Sequence, residues 1–386
     1  MVDMQGSDVD AELLEVDEDD FEASNDQAEA LDLSGEDRKL VTQPYDLAVK
    51  GISSDIDSGR ISLTIEYQRK YVWDLGKASR LIESLLLNVP IPVCYFAEDE
   101  DGVYEVIDGL QRLQTIKNFI DNDFALQSIS VLTELDGKTF KDLAPRDQRR
   151  LENRTIRCIV ITEDSHPDIK FDVFERLNTG AAMLTAQELR NSVYRGPFND
   201  ELKVLASKDY FTSLIGSFSN KRMDLEELIL RFFALVDGLD KYKPPLRQFL
   251  NEYMRSHRAQ KPTRAQVELF KDCCSAVEDA LGNLPFRVSD SKTPLNKALF
   301  DAIMVSVAHA DRDELRANGE AVSDFIANLP NEPEFRTSIG RATADRFRML
   351  YRIGVVAAGL RDRKVSVDLP EGFGLDDAAR GSTPRP

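Results

Sequence analysis

Between residues 44 and 165 the apolar positions fall into short runs whose period changes along the chain. Ala78, Leu81, Ile82, Leu85 and Leu86 recur at three- and four-residue spacing. This predicts a helix over Lys77 to Asn88, which Pro90 stops. Pro92-Val93-Cys94-Tyr95-Phe96 reads as a strand, Glu98 to Gly102 as a turn, and Val103 to Ile107 as the returning strand of a hairpin. Leu113, Ile116, Phe119 and Ile120 then mark a helix. Thr155 to Thr162 alternates as a strand, with Ile156, Cys158 and Val160 on one side and Ile159 and Ile161 on the other. Phe171, Phe174 and Leu177 line a short helix, and Thr185-Ala186-Gln187-Glu188 has the form of a capping box that starts another. Ile61-Ser62-Leu63 is an extended lead-in. From residue 198 to 360 the pattern is nearly all helical. The change of character near residue 200 predicts an α+β domain over 41–197 followed by an all-α domain over 198–365.

Composition and charge refine this picture. The chain has 386 residues and a formal net charge of -19, but residues 1–37 hold 15 of its 68 acidic residues and no Lys or Arg. The remainder carries 53 acids against 49 bases, so the body is nearly neutral and local patches decide what it binds. A segment so acidic and so poor in aromatics predicts a disordered tail over 1–40, and the polar stretch 366–386 reads as a second. No run of about 18 apolar residues predicts a membrane span. The acidic start, with Asp3 near its head, differs from the basic start of a secretory signal. Cys94, Cys158, Cys273 and Cys274 fit no metal-ligand or disulfide spacing, and we read them as free thiols in a cytoplasmic protein. His166, His257 and His309 are far apart, which argues against a zinc or HNH-type hydrolase site.

Four polar clusters interrupt the apolar elements. The first, Gln68-Arg69-Lys70-Tyr71-Val72-Trp73, combines bases with aromatics just before the Lys77 helix. The second, Asp108-Gly109-Leu110-Gln111-Arg112, lies where a strand enters a helix. The first N–H groups of a helix lack partners and its dipole favours anions. Gly109 allows close approach of the backbone, and Arg112 suits bidentate contact with phosphate. Asp108 has three open roles: metal ligand, water-orienting group or helix cap. The third, Phe174-Glu175-Arg176-Leu177-Asn178-Thr179-Gly180, ends a helix and is expected to bring Arg176 and Asn178 into the site of Arg112. The fourth is Thr185 to Asn191, with Arg190. Each cluster taken alone also has a plain structural reading as a cap, an anchor or a solvated face.

In this order and spacing the clusters resemble one family. Gln68-Arg69 with Val72-Trp73, Arg80-Leu81-Ile82-Glu83-Ser84-Leu85-Leu86-Leu87, Ile91-Pro92 and Ile107-Asp108-Gly109-Leu110-Gln111-Arg112-Leu113 are similar to the N-terminal domain of GmrSD-type restriction endonucleases. Phe174 to Gly180, Leu184-Thr185 and Glu188-Leu189-Arg190-Asn191 extend the resemblance, which covers about residues 55–200. The usual central motif is Asp-Gly-Gln-Gln-Arg, and Leu110 stands here at the first Gln. The resemblance implies a ParB/sulfiredoxin-like fold that binds an NTP, with Mg2+ and hydrolysis as accompanying expectations, in a prokaryotic restriction or phage-defence system. By position it assigns the central motif to Asp108, Gln111 and Arg112 as catalytic groups. Arg69, Gly109, Arg176 and Asn178 become cofactor-binding groups, and Asp108 a candidate Mg2+ ligand. It also implies that a nuclease partner protein supplies cleavage, because residues 198–360 carry no HNH signature.

Two other functions stay open on the residues. A DNA-binding module without catalysis would use the basic stretches Lys77/Arg80, Arg146/Arg149/Arg150/Arg154/Arg157 or Lys241/Lys243/Arg247. A stand-alone nuclease at Asp108 would need converging carboxylates, and Glu105, three residues earlier, is the nearest acid of that strand.

Overall fold

A computed structural model describes residues 39–63, 71, 73–99, 101–177, 184–216, 220, 222–282, 284–288 and 294–370. Both expected tails lie outside these residues except at 39–40 and 366–370. The chain forms two compact units, one within residues 32–189 and one whose described part begins at Arg190.

The first unit is built on a mixed five-stranded sheet. Its strands are β1 (Thr42–Ala48), β2 (Ile61–Ser62), β3 (Cys94–Glu98), β4 (Tyr104–Asp108) and β5 (Thr155–Ile161). Their order in the sheet is β1-β5-β3-β4-β2. β3 and β4 pair antiparallel as the hairpin that the pattern predicts, and β5 joins β3 in parallel with Cys94 opposite Cys158. Period-two alternation places Cys94, Phe96, Val106, Ile156, Cys158 and Val160 on one face. There they share a core with helices α1 (Val49–Asp57), α2 (Leu75–Leu87) and α3 (Leu110–Ile120). The apolar stripes of α2 and α3 drive this: Ile82, Leu85, Leu113, Ile116 and Phe119 are fully buried, each worth on the order of 2 kcal/mol. Helices α4 (Pro145–Glu152) and α5 (Pro167–Leu177) follow, and α6 (Ala186–Val193), opened by the reciprocal Thr185–Glu188 capping box, carries the boundary between the units at Leu189.

α2 ends one turn before Pro90. Asn88 takes the left-handed conformation, φ 66°, and its N–H closes on the Leu85 carbonyl, so the cap rather than the proline stops the helix. The buried face of α2 also carries two polar groups. Ser79 Oγ accepts from Gln127 N at 2.9 Å. The Glu83 carboxylate accepts from the backbone N–H of Val131 at 2.7 Å, Leu132 at 2.9 Å and Ser130 at 3.1 Å. Together they fasten the irregular segment between α3 and α4, which has few ladder partners of its own.

The second unit is helical, as expected. It comprises α7 (Pro197–Ala206), α8 (Asp209–Ile215), α9 (Asp224–Gly238), α10 (Leu246–His257), α11 (Arg264–Leu281), α12 (Lys297–Ala308), α13 (Arg312–Ala317), α14 (Gly319–Asn328), α15 (Pro333–Gly340) and α16 (Arg346–Asp362). Its core contains a buried ion network. Asp301 of α12 accepts both Nε and Nη2 of Arg231, at 3.0 and 2.7 Å, and Nη2 of Arg352 at 3.1 Å. Burial pushes the Glu227 carboxyl up, but Lys297, Arg190 and Arg231 outweigh it and bring it down to about 2. Removing one partner of such a network would strand a buried charge, which costs about 3–5 kcal/mol, although the intact network adds little over an apolar core. All four cysteines are free and buried. No described helix is long and apolar enough to cross a membrane.

Candidate functional site

The site grows from the end of the β3–β4 hairpin. β4 runs directly into α3: Asp108 is its last residue, Gly109 caps the helix with φ 103°, and no side chain caps the first turn. The first turn of α3 thus points its N–H groups and the positive end of the helix dipole toward the end of β4. Only glycine fits at 109. A Cβ there would sit 2.6 Å from Cys94 Sγ and 3.3 Å from Arg112 Nη2, and the positive φ disfavours any side chain. The need for glycine thus comes from the packing of β3 behind the turn.

Arg112, one turn into α3, folds back over the helix start. Its guanidinium donates to Asp108 Oδ2 at 2.5 Å, to the Val93 carbonyl at 3.3 Å and to the Pro92 carbonyl. It is about nine-tenths buried, and it locks the entry of β3 to the exit of β4. Thr115, the next turn along, holds α3 to the Tyr71 hydroxyl at 2.8 Å.

Facing this turn is the N-terminal half of α2. The Asp74 side chain caps it by accepting from Lys77 N at 2.8 Å. Lys77, Arg80 and Ser84 stand three and four apart, on the side opposite the buried stripe. With Trp73, Asp108 and Arg112 they line an open cleft of about 500 Å³, to which Pro92 and Leu177 add apolar walls. The Lys77 ammonium lies 4.6 Å from the centre of the Trp73 ring. Among the described residues neither Lys77 nor Arg80 has a carboxylate partner. Three cations against one carboxylate leave the cleft with an excess of two positive charges.

The expected site residues separate on this geometry. Asp108, Gly109 and Arg112 lie together at the junction of β4 and α3. Gln111 is half-buried and outside the cleft wall. Arg176 departs from its expected place: it is exposed and pairs with Asp172 one turn back at 3.0 Å, while its neighbour Leu177 faces the cleft. The helical period explains the departure, because adjacent residues point about 100° apart. Arg69 and Asn178 lie outside the described residues. Leu110 packs against the hydrophobic core, so an apolar side chain at that motif position has a place to go. The residues that sequence reasoning did not assign to this site are Lys77, Arg80, Ser84 and Trp73. For Lys77, Arg80 and Ser84 the signal was present as the polar complement of the α2 stripe, and Trp73 stood in the first polar cluster, but nothing along the chain says that this face meets the hairpin end.

The family description for the N-terminal domain of the GmrSD restriction endonuclease matches residues 49–195. This segment is a GmrSD-type N-terminal domain. The match spans α1 to α6 and contains every element that lines the cleft. The description is that of a domain of a restriction endonuclease. No curated protein matches the chain.

The residues of the GmrSD-type domain can be tested against a nucleotide and Mg2+. An exposed ammonium and guanidinium, the N-terminal dipole of α3 and an aromatic surface at Trp73 suit the phosphates and base of a nucleotide. Among the described residues no three His, Cys, Asp or Glu side chains converge as a metal site. Asp108 is the one carboxylate of the cleft wall, and Arg112 already holds one of its oxygens. That donor set fits an ion that arrives bound to phosphates, since Mg2+ commonly takes one carboxylate and completes its shell with phosphate and water.

Proposed function

We propose that the chain is the nucleotide-binding module of a restriction or phage-defence system, and that the α2–α3 cleft is its phosphate site. The observation that carries this reading is the pair Lys77 and Arg80, without carboxylate partners among the described residues, in one cleft with Asp108 and Arg112 at the N-terminus of α3. The mixed sheet with its strand–turn–helix junction at Gly109 supports a ParB/sulfiredoxin-like domain. In this reading Lys77 and Arg80 contact the phosphates, the first-turn N–H groups of α3 hold an oxygen, and Asp108 takes the nucleotide's Mg2+. Hydrolysis then depends on positioning and charge neutralisation, which is most of what phosphoryl transfer requires. DNA cleavage belongs to a partner protein. A nuclease centre needs several converging carboxylates, and among the described residues no group of three His, Cys, Asp or Glu side chains forms one around Asp108.

Calorimetric titration with the four NTPs and Mg2+ tests this. The wild type binds at least one of them, and Lys77→Ala and Arg80→Ala each weaken binding about tenfold with unchanged thermal unfolding. Failure to bind any NTP would sink the nucleotide reading. Arg112→Ala is the poorer probe, because removing its guanidinium also frees the Pro92 and Val93 carbonyls.

A further inference from the structure

α4 buries Leu151 alone and turns Arg146, Arg149 and Arg150 to solvent. The spacing of three and four residues puts these guanidiniums on one side of the helix, and among the described residues none has a carboxylate or hydrogen-bond partner. The two arginines that follow are already committed. Arg154 Nε donates to the Leu85 carbonyl at 2.8 Å and its guanidinium reaches Asn88, while Arg157 pairs with Asp46 at 3.0 Å. Glu152 leans away from the arginine face toward Lys50, at 3.8 Å. Like charges at these spacings destabilise a helix, and Arg146 lies at the end where the dipole opposes it. The C-terminal dipole favours Arg149 and Arg150, but nothing in the fold accounts for the trio.

We propose that this face of α4 docks duplex DNA, with the three guanidiniums on backbone phosphates. The proposal rests on reading the chain as a restriction-system module, and it assigns the DNA to a surface apart from the nucleotide cleft. Charge complementarity selects the occupant, because a regular polyanion is the ligand that neutralises three such cations at once. Place also fits. Arg154 ties the end of α4 to the C-terminal end of α2, and α2, about 20 Å long, carries Lys77 and Arg80 toward its other end. Less than one turn of B-DNA, about 34 Å, would therefore separate the two phosphate-binding surfaces.

Fluorescence anisotropy of the full chain with a labelled duplex of about two helical turns, measured across a range of salt, reads this out. The wild type binds with a steep salt dependence. The triple variant R146A/R149A/R150A loses affinity at least tenfold, and the slope of log K against log salt falls by about 2.7, the share of three lost phosphate contacts. NTP titration of the same samples stays unchanged, which keeps failure here distinct from failure of the nucleotide reading. Equal slopes in the two proteins, or no DNA binding by the wild type, would overturn the proposal. So would the arginine-dependent binding of a peptide of residues 1–37 in place of DNA, since that would assign the face to the chain's own acidic segment.

Discussion

Glu83→Ala lowers the stability of the sheet-containing unit by about 3 kcal/mol, because three backbone N–H groups lose the carboxylate that satisfies them. Trp73 is the single tryptophan of the chain and packs against this unit's core, so its emission during urea unfolding reports the loss directly. Glu83→Gln keeps an acceptor oxygen and costs about half as much. The two forms also differ in their response to acid. Burial pushes the Glu83 carboxyl up, but the N–H groups of Leu132, Val131 and Ser130 outweigh it and hold the group below its ordinary 4.5. A carboxylate whose folded value is depressed contributes stability above the unfolded value and loses that contribution as pH falls through the folded one. The stability difference between wild type and Glu83→Gln is therefore constant above about pH 5 and shrinks below 4.5. A difference that persists unchanged into acid would show that the N–H groups do not read the charge.

Gly109→Ala has an effect of similar size by a different route. The added methyl meets Cys94 Sγ at 2.6 Å, and alanine at φ 103° is strained whatever the space. Overpacking and left-handed strain together amount to about 3 kcal/mol. The double variant Gly109→Ala, Cys94→Ala recovers about 1 kcal/mol beyond additivity, because it removes the clashing sulfur and leaves the strain. Purely additive losses in the Trp73-monitored unfolding would mean that the β3 packing does not set the turn. Nucleotide affinity should fall in the single variant, since the turn that aims the α3 N–H groups is the part displaced.

Much of the first unit was legible along the chain because its central elements bury one face. The stripes of α2 and α3, the hairpin and β5 all appear as period 3.6 or period 2. Elements that bury little left no such trace. β1 has the string Thr-Gln-Pro-Tyr-Asp-Leu-Ala, mostly exposed, and is held by its ladder with β5 rather than by side-chain burial. Pro44 is tolerable there because the strand is an edge. α4 buries one leucine, so its arginines read as a charge cluster and its helix went unseen. α1 pairs Val49 with Ile52 amid Gly51 and serines, too few apolar positions to show a period. At the site, the turn was legible because strand, glycine and helix adjoin in the chain. The opposite wall was not, since its place depends on how α2 lies across the sheet. Arg112 illustrates the remaining difficulty: its residue type suits a phosphate, while its partners show that it is equally a tie between two strands.

β1 also bears on where this domain begins. The family match opens at residue 49, yet residues 42 to 48 pair with the whole of β5. A fragment cut at the family boundary would strip one rim of the sheet and leave the N–H and C=O groups of β5 open beside Ile156, Cys158 and Val160. An unpaired, apolar strand of that kind recruits other chains. The independent folding unit is thus longer than the recognisable one, and its seven extra residues act as a sheath for the strand that carries the core.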